Sequence, residues 1–210
     1  MKLHLAPYAE QAPTWPTSGK HLMAQYDAST LVVYQAYNRT IADFAVRNGH
    51  FGEGFSFSRM SWVKPNFLWM MYRSGWGTKP DQEVTLAVHL RRDAFDTILA
   101  GAVASSFGAS GVATQAAWQE AVASSDVRLQ WDPDHAPSGA PLARRAIQLG
   151  LRGEVLRRYA SEWIVRIEDI SERVAEERSR VSDLDALHVP AERVYPVRES
   201  AVAARLGLAL

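Results

Sequence analysis

The chain has 210 residues, is 47% hydrophobic and balances 23 Lys and Arg against 23 Asp and Glu. That is enough apolar material for one substantial core, and it gives no bulk attraction to nucleic acid or anionic membrane. With no cysteine, disulfides, thiolate nucleophiles and Cys-ligated metal sites are excluded.

The opening MKLHLAPYAEQAPTWP is interrupted by His4 and Pro7, well short of a signal-peptide core, and no run approaches the roughly 18 to 20 apolar residues of a membrane span. A cytoplasmic protein is expected. Residues 1–25, with Pro7, Pro13, Pro16 and Gly19 and little periodicity, read as an irregular arm laid on the body. Residues 26–210 read as a single α+β domain.

Within that domain, Leu31 to Tyr37 is β-branched and aromatic and predicts a strand. Asn38 then caps a short helix that stops at Gly49. FSFS, Phe55 to Ser58, predicts a second strand, and Pro65 to Ser74 a helix terminated by Gly75. Val84 to Leu90 reads as a buried strand, followed by a helix over 92–104 and Ala- and Ser-rich sequence to Ser125. Val127 to Trp131 alternates strictly and runs into an Asp132-Pro133-Asp134-His135 turn. Helices are expected over 142–150 and 154–159, a strand over 163–167, a charged helix over 171–181, and an edge strand over 193–197, limited by Pro196.

Phe55 to Trp76 is the compositional outlier, because it brings Trp62, Trp69 and Trp76 together with Arg59, Lys64 and Arg73. Tryptophan and tyrosine carry a polar handle and a flat face that stacks on planar ligands. Phe67 to Met71 is most economically core, which leaves Tyr72 and Trp76 as candidates for stacking. Arg59, Lys64 and Arg73 are either solvated surface cations or phosphate ligands. The two arginines are the better phosphate ligands because each can donate two parallel hydrogen bonds.

Gln35 and Tyr37 alternate on one strand, where the plain reading is cross-strand packing around a satisfied amide. Gln130 and Asp132 fall on one strand face. Asp132 and Asp134 are the acidic candidates, with Glu168 and Glu192 as rivals. Asp132, Asp134 and His135 also permit a metal-dependent hydrolase reading, against which Asp-Pro-Asp more often initiates a turn. Arg144, Arg145, Gln148 and Arg152 would share one helix face, as a solvated face or a basic rim.

The blocks VVYQAYN, RMSWVKPNFLWMMYRSGW, VRLQWDPDH and RRAIQLGLRG resemble the uncharacterised domain-of-unknown-function family 4291 of bacteria and fungi, from about Leu31 to the C-terminus. The order of a strand ending in Tyr34-Gln35, the Asn38 cap, a Ser-x-Ser element, an aromatic helix and the strand VTLAVHL is similar in layout to ADP-ribosyltransferase-like domains. That similarity implies a split, mostly antiparallel mixed sheet with flanking helices around a cleft that grips NAD.

It also implies roles. Gln35, with Tyr37 and Asn38 beside it, would stand where such domains place His or Arg, although Gln cannot neutralise phosphate. Ser56 and Ser58 would lie against the nicotinamide, and Arg59, Lys64 and Arg73 near the phosphates. Gln130 with Asp132 or Asp134 would replace a Gln-x-Glu element. The implied activity is cleavage of NAD with transfer of ADP-ribose to a nucleic-acid or protein acceptor. The alternative is a non-catalytic nucleotide or single-stranded nucleic-acid binding module.

Overall fold

The structure is a computed structural model and describes residues 2–208. The outermost positions of the two expected segments, 1 and 209–210, lie outside the described residues. The chain opens with short elements: β1 (Leu5–Pro7), α1 (Tyr8–Gln11), a 3-10 turn (Ala12–Thr14), β2 (Gly19–Lys20) and β3 (Met23–Ala24). Next come β4 (Thr30–Tyr37), α2 (Arg39–Asn48), β5 (Ser61–Val63), α3 (Phe67–Ser74), β6 (Val84–Arg91), α4 (Arg92–Ala100) and β7 (Ala102–Ala104). A second 3-10 turn (Phe107–Ala109) leads to α5 (Gln115–Ser124), β8 (Val127–His135), β9 (Pro141–Leu151) and α6 (Gly153–Ser161). The chain closes with β10 (Ile164–Asp169), α7 (Ser171–Arg178), β11 (His188–Pro190), β12 (Arg193–Val194) and α8 (Ser200–Leu206).

The architecture is mixed α+β. An antiparallel sheet runs β10-β6-β4, and a second sheet runs β2-β9-β8-β7 with β5 also on β9; β1-β11 and β12-β3 form two small ribbons. The β10-β6-β4 sheet is covered on both faces. On one face Val33, Leu86 and Val88 meet Ala42, Phe95 and Tyr159; on the other, Val32, Tyr34 and Ala87 meet Phe67, Leu68 and Met71. Burial of both faces explains why β4 and β6 read as continuous apolar runs rather than strict alternation. Among the described residues no helix is long and apolar enough to cross a membrane.

Local signals set several boundaries as expected. Asn38 accepts from the Ile41 amide and Gly49 closes α2 at φ 71°. In α3 the cap is Asn66, which accepts from the Trp69 amide. Pro65 therefore stands outside the helix, and the helix starts two residues later than Pro65 suggests.

Four expectations give way to tertiary pairing. Residues 55–58 are not a strand; the strand is Ser61–Val63, paired with Leu149, Gly150 and Leu151. The helix over 92–104 ends at Ala100, and Ala102–Ala104 pairs in parallel with Val127, Arg128 and Leu129. Residues 142–150 form strand rather than helix: β9 pairs antiparallel with β8, and Ile147, Leu149 and Leu151 alternate into the larger core. Arg144, Arg145, Gln148 and Arg152 therefore share no helix face. Asp132-Pro133-Asp134-His135 continues β8 through a register shift, and the turn lies over 136–140, with Gly139 at φ 86°.

The N-terminal arm is pinned by the end of the chain. β1 pairs with β11 and β3 with β12, and buried Trp15 donates its indole N–H to the Glu192 carbonyl at 2.9 Å. Its prolines restrict it to strands of two or three residues without preventing their pairing.

Candidate functional site

The two larger sheets touch through an isolated bridge between Tyr34 and Lys64, where the Tyr34 amide donates to the Lys64 carbonyl at 2.7 Å. One residue further along β4, a side chain takes over from the backbone. The Gln35 amide nitrogen reaches Ser61 Oγ at 2.9 Å, the Trp62 carbonyl at 3.2 Å and Tyr37 Oη at 2.7 Å. Its oxygen accepts from Tyr159 Oη at 2.5 Å. Two amide hydrogens shared among three acceptors leave no free donor. Gln35 is thus the brace of one wall, and burial pushes the neighbouring Tyr37 hydroxyl up to about 12.

Beyond this brace the sheets part around a cleft of about 710 Å³. Gln35 and Tyr37 line one side, Ser56, Arg59, Ser61 and Trp62 another, Met70 and Arg73 come from α3, and Gln130 and Gln148 from β8 and β9. Gly150 permits the close approach of the second wall: a Cβ there would lie 2.4 Å from Met60 Sδ and 3.1 Å from Trp62 Cε2.

Three cations share this cleft, and among the described residues none of their side chains has an ion pair or hydrogen bond. Arg59 and Arg73 are exposed, whereas Lys64 is 5% exposed. The Lys64 ammonium lies 6.0 Å from the centroid of the Trp69 ring. Burial first, then Arg73, brings its pKa down to about 8, with Asp132 acting in the opposite sense.

Gln130 and Gln148 face each other across β8 and β9, and each gives its amide N–H to one oxygen of Asp132, at 2.8 and 2.7 Å. The carboxylate is held between two lining residues in a fixed orientation. Asp134 has a different setting. It is wholly buried, paired with Arg144 at 2.6 and 2.8 Å, and accepts from the His135 amide. Arg144 also donates to the Pro16 carbonyl and lies 5.3 Å from the Trp15 ring, so this pair fastens the N-terminal arm, and Arg144 forms no basic rim.

The remaining sequence candidates fall in several places. Asn38 is not itself in the lining; it caps α2 by accepting from the amide of Ile41, which is. Ser56 lines the cleft and Ser58 does not; their hydroxyls lie 3.1 Å apart. Tyr72, 46% exposed, stacks on buried His135 with centroids 3.5 Å apart and planes at 10°. Trp76 donates its indole N–H to the Pro137 carbonyl and sets its ring against Phe67, which makes it an anchor for the loop after α3.

Of the rival acids, Glu168 joins His89 and Arg166. Glu192 is buried at the start of α3, where it accepts from the Phe67 amide at 2.7 Å and Asn66 Nδ2 at 3.2 Å, and burial pushes its pKa up to about 8. Neither lines the cleft; Asp132 stands just behind the lining, held by two residues that belong to it, and Asp81 is an acidic side chain in the lining itself, which sequence reasoning did not single out. No three metal-ligating side chains are grouped among the described residues.

Sequence reasoning missed Ser61, Tyr159 and the amide role of Gln148. The first two look like ordinary strand and helix residues. Gln148 pairs with Gln130 only once 141–151 is read as a strand.

A family model described as Domain of unknown function (DUF4291) matches residues 21–195, a span that holds all the blocks from VVYQAYN to RRAIQLGLRG, and the chain belongs to that family. No curated protein matches the sequence. Nothing in these comparisons carries the likeness to ADP-ribosyltransferase-like domains.

Proposed function

We propose that the cleft binds a phosphorylated nucleotide, and that the chain is an ADP-ribosyltransferase-like enzyme that cleaves NAD and passes ADP-ribose to a macromolecular acceptor. The observation that carries the reading is the set of unpaired cations Arg59, Lys64 and Arg73 on one cleft, beside a carboxylate that Gln130 and Gln148 hold in place. Cations left without protein partners favour a polyanionic ligand, and a volume of about 710 Å³ is in the range of small-molecule and cofactor sites.

In this reading Arg59 and Arg73 grip the diphosphate, and the free carbonyl oxygens of Gln130 and Gln148 accept from the ligand's hydroxyl or amide groups. The bond from ribose C1 to the nicotinamide nitrogen breaks with its electron pair leaving on nicotinamide. The resulting oxocarbenium-like charge is stabilised by Asp132, which also takes the proton of the incoming nucleophile. Asp132 suits the role better than Asp134, whose charge is already neutralised by Arg144.

The test is nicotinamide release from NAD, measured with single-stranded DNA, RNA and protein acceptors. Release by the wild type is expected, with Asp132→Asn abolishing turnover while NAD affinity changes only a few-fold. An inert wild type with every acceptor would sink the transferase.

One observation favours a second reading. Tyr72 is exposed, backed by His135 and adjacent to Arg73, an arrangement suited to stacking a base of a single strand beside its phosphate. That module predicts salt-sensitive single-strand binding which Asp132→Asn leaves unchanged.

A further inference from the structure

We propose that Lys64 is an oxyanion seat in the depth of the cleft, which takes a phosphate group of the ligand as its ionic partner. The seat deepens the nucleotide reading above and rests on it only in requiring a ligand that carries phosphate.

Lysine residues this buried are ordinarily paired, because desolvating an isolated charge is strongly unfavourable. The other buried cations of this chain follow that rule. Arg144 has Asp134 and the Pro16 carbonyl, and Arg128 has the carbonyls of Val122, Ser125 and Val127. Lys64 is 5% exposed, lines the cleft, and has only the Trp69 ring at 6.0 Å.

The carbonyl of Lys64 is held by the Tyr34 amide at the junction of the two sheets, which fixes the base of the side chain in the cleft wall. Asp132 contributes attraction, but Gln130 and Gln148 hold its carboxylate in place and no ion pair joins it to Lys64 among the described residues. An entering phosphate supplies the missing partner, and the exposed Arg59 and Arg73 complete the positive wall nearer solvent.

The charged and titratable groups around the seat are Arg73 from α3, Asp81 from the loop after α3, Asp132 from β8, Arg59 from the segment before β5 and Tyr37 from β4. Burial brings Lys64 down to about 8, whereas Tyr37, pushed up to about 12, stays neutral well beyond that. The seat is therefore charged at neutral pH and discharged above pH 8 to 9, so phosphate affinity should fall across that interval.

The probe is ADP, whose phosphates are fully ionised above pH 7.5 (phosphate ester second pKa about 6), titrated calorimetrically into the full chain at low salt. Wild type is expected to bind at pH 7.5 and to weaken roughly tenfold or more at pH 9.5 as Lys64 loses its proton. Lys64→Met should bind roughly tenfold or more weakly at pH 7.5 and show no further loss at pH 9.5. Its free form should melt no lower than wild type, since the substitution removes a cation that has no protein partner and keeps the apolar stem. Arg59→Gln should weaken ADP but keep the pH dependence.

The seat is overturned if Lys64→Met binds ADP within about twofold of wild type, or if wild-type affinity is the same at both pH values. The second criterion needs no variant. Absence of ADP binding by wild type would remove the seat and the nucleotide reading together. ADP binding with no nicotinamide release from NAD would leave the seat standing and remove only the transferase.

Discussion

Tyr159 donates its hydroxyl hydrogen to the Gln35 side-chain oxygen at 2.5 Å, and through that single contact helix α6 fixes the amide that braces the cleft wall. The hydroxyl is fully buried, so removing it strands an acceptor that water cannot reach.

Tyr159→Phe should lower unfolding free energy by about 1 to 3 kcal/mol, measured by urea denaturation. Tyr159→Phe combined with Gln35→Leu should be less destabilised than the sum of the two single variants, because the double change also removes the stranded acceptor. Additive effects would show that the two side chains act independently.

Asp132 and Asp134 are separated by one residue and should answer differently to loss of charge. Asp134→Ala leaves Arg144 buried without its carboxylate and should destabilise by about 3 to 5 kcal/mol, with the Trp15 region the first to lose protection from hydrogen exchange. Asp132→Asn leaves the Arg144 pair intact and should stay within about 1 kcal/mol of wild type. Equal destabilisation would contradict the division into a carboxylate that fastens the arm and one held behind the cleft lining.

Glu192 sets a pH dependence of opposite sense to an ordinary paired carboxylate. Its folded pKa is pushed up to about 8 from 4.5, chiefly by burial, so between those values the folded state holds a proton that the unfolded state has released. Unfolding then releases a proton, and this contribution to stability falls as pH rises from about 5 to 8. His89 and His135, whose pKa values are lowered by burial, contribute in the opposite direction below their ordinary range. The informative quantity is accordingly the difference between wild type and Glu192→Gln: the wild type should lose stability relative to the variant as pH is raised through this window. A constant difference would mean that Glu192 keeps the same protonation state on unfolding.

The local signals that were legible share one property, which is that they act within a few residues. Asn38 and Gly49 bracket α2, and the short apolar run of β6, Val84 to Leu90, marks a strand by its length and composition. Pairing between distant segments was not legible. Residues 141–151 carry spacings compatible with either period, and only the β8 partner decides for strand.

The same limit applies to the cleft. Arg59, Lys64 and Arg73 stood out by composition, and Gln130 with Asp132 by spacing. The brace from Tyr159 to Gln35 crosses 124 residues, and the clamp of Gln148 on Asp132 depends on the pairing of β9 with β8. Asp134 attracted a catalytic reading because its buried partner, Arg144, sat on what looked like a separate helix.

Gly150 offers a test of the cleft wall that leaves every charged group in place. On the side of β9 that faces β5, the missing side chain leaves room for Met60 and Trp62, and an added methyl would approach Met60 Sδ to 2.4 Å and Trp62 Cε2 to 3.1 Å. The methionine can rotate away, whereas the indole belongs to a residue paired with Gly150 itself and has less freedom. Gly150→Ala should therefore displace the Met60 and Trp62 side chains into the cleft, costing about 1 to 3 kcal/mol by overpacking and weakening ADP binding with Arg59, Lys64 and Arg73 all intact. Adding Met60→Ala should restore most of the stability by making space for the methyl, and should recover ADP affinity if the displaced side chains were blocking the ligand. Calorimetry and thermal melting on the two variants separate these effects. An unchanged ADP affinity in Gly150→Ala would show that the ligand does not reach the wall formed by β5.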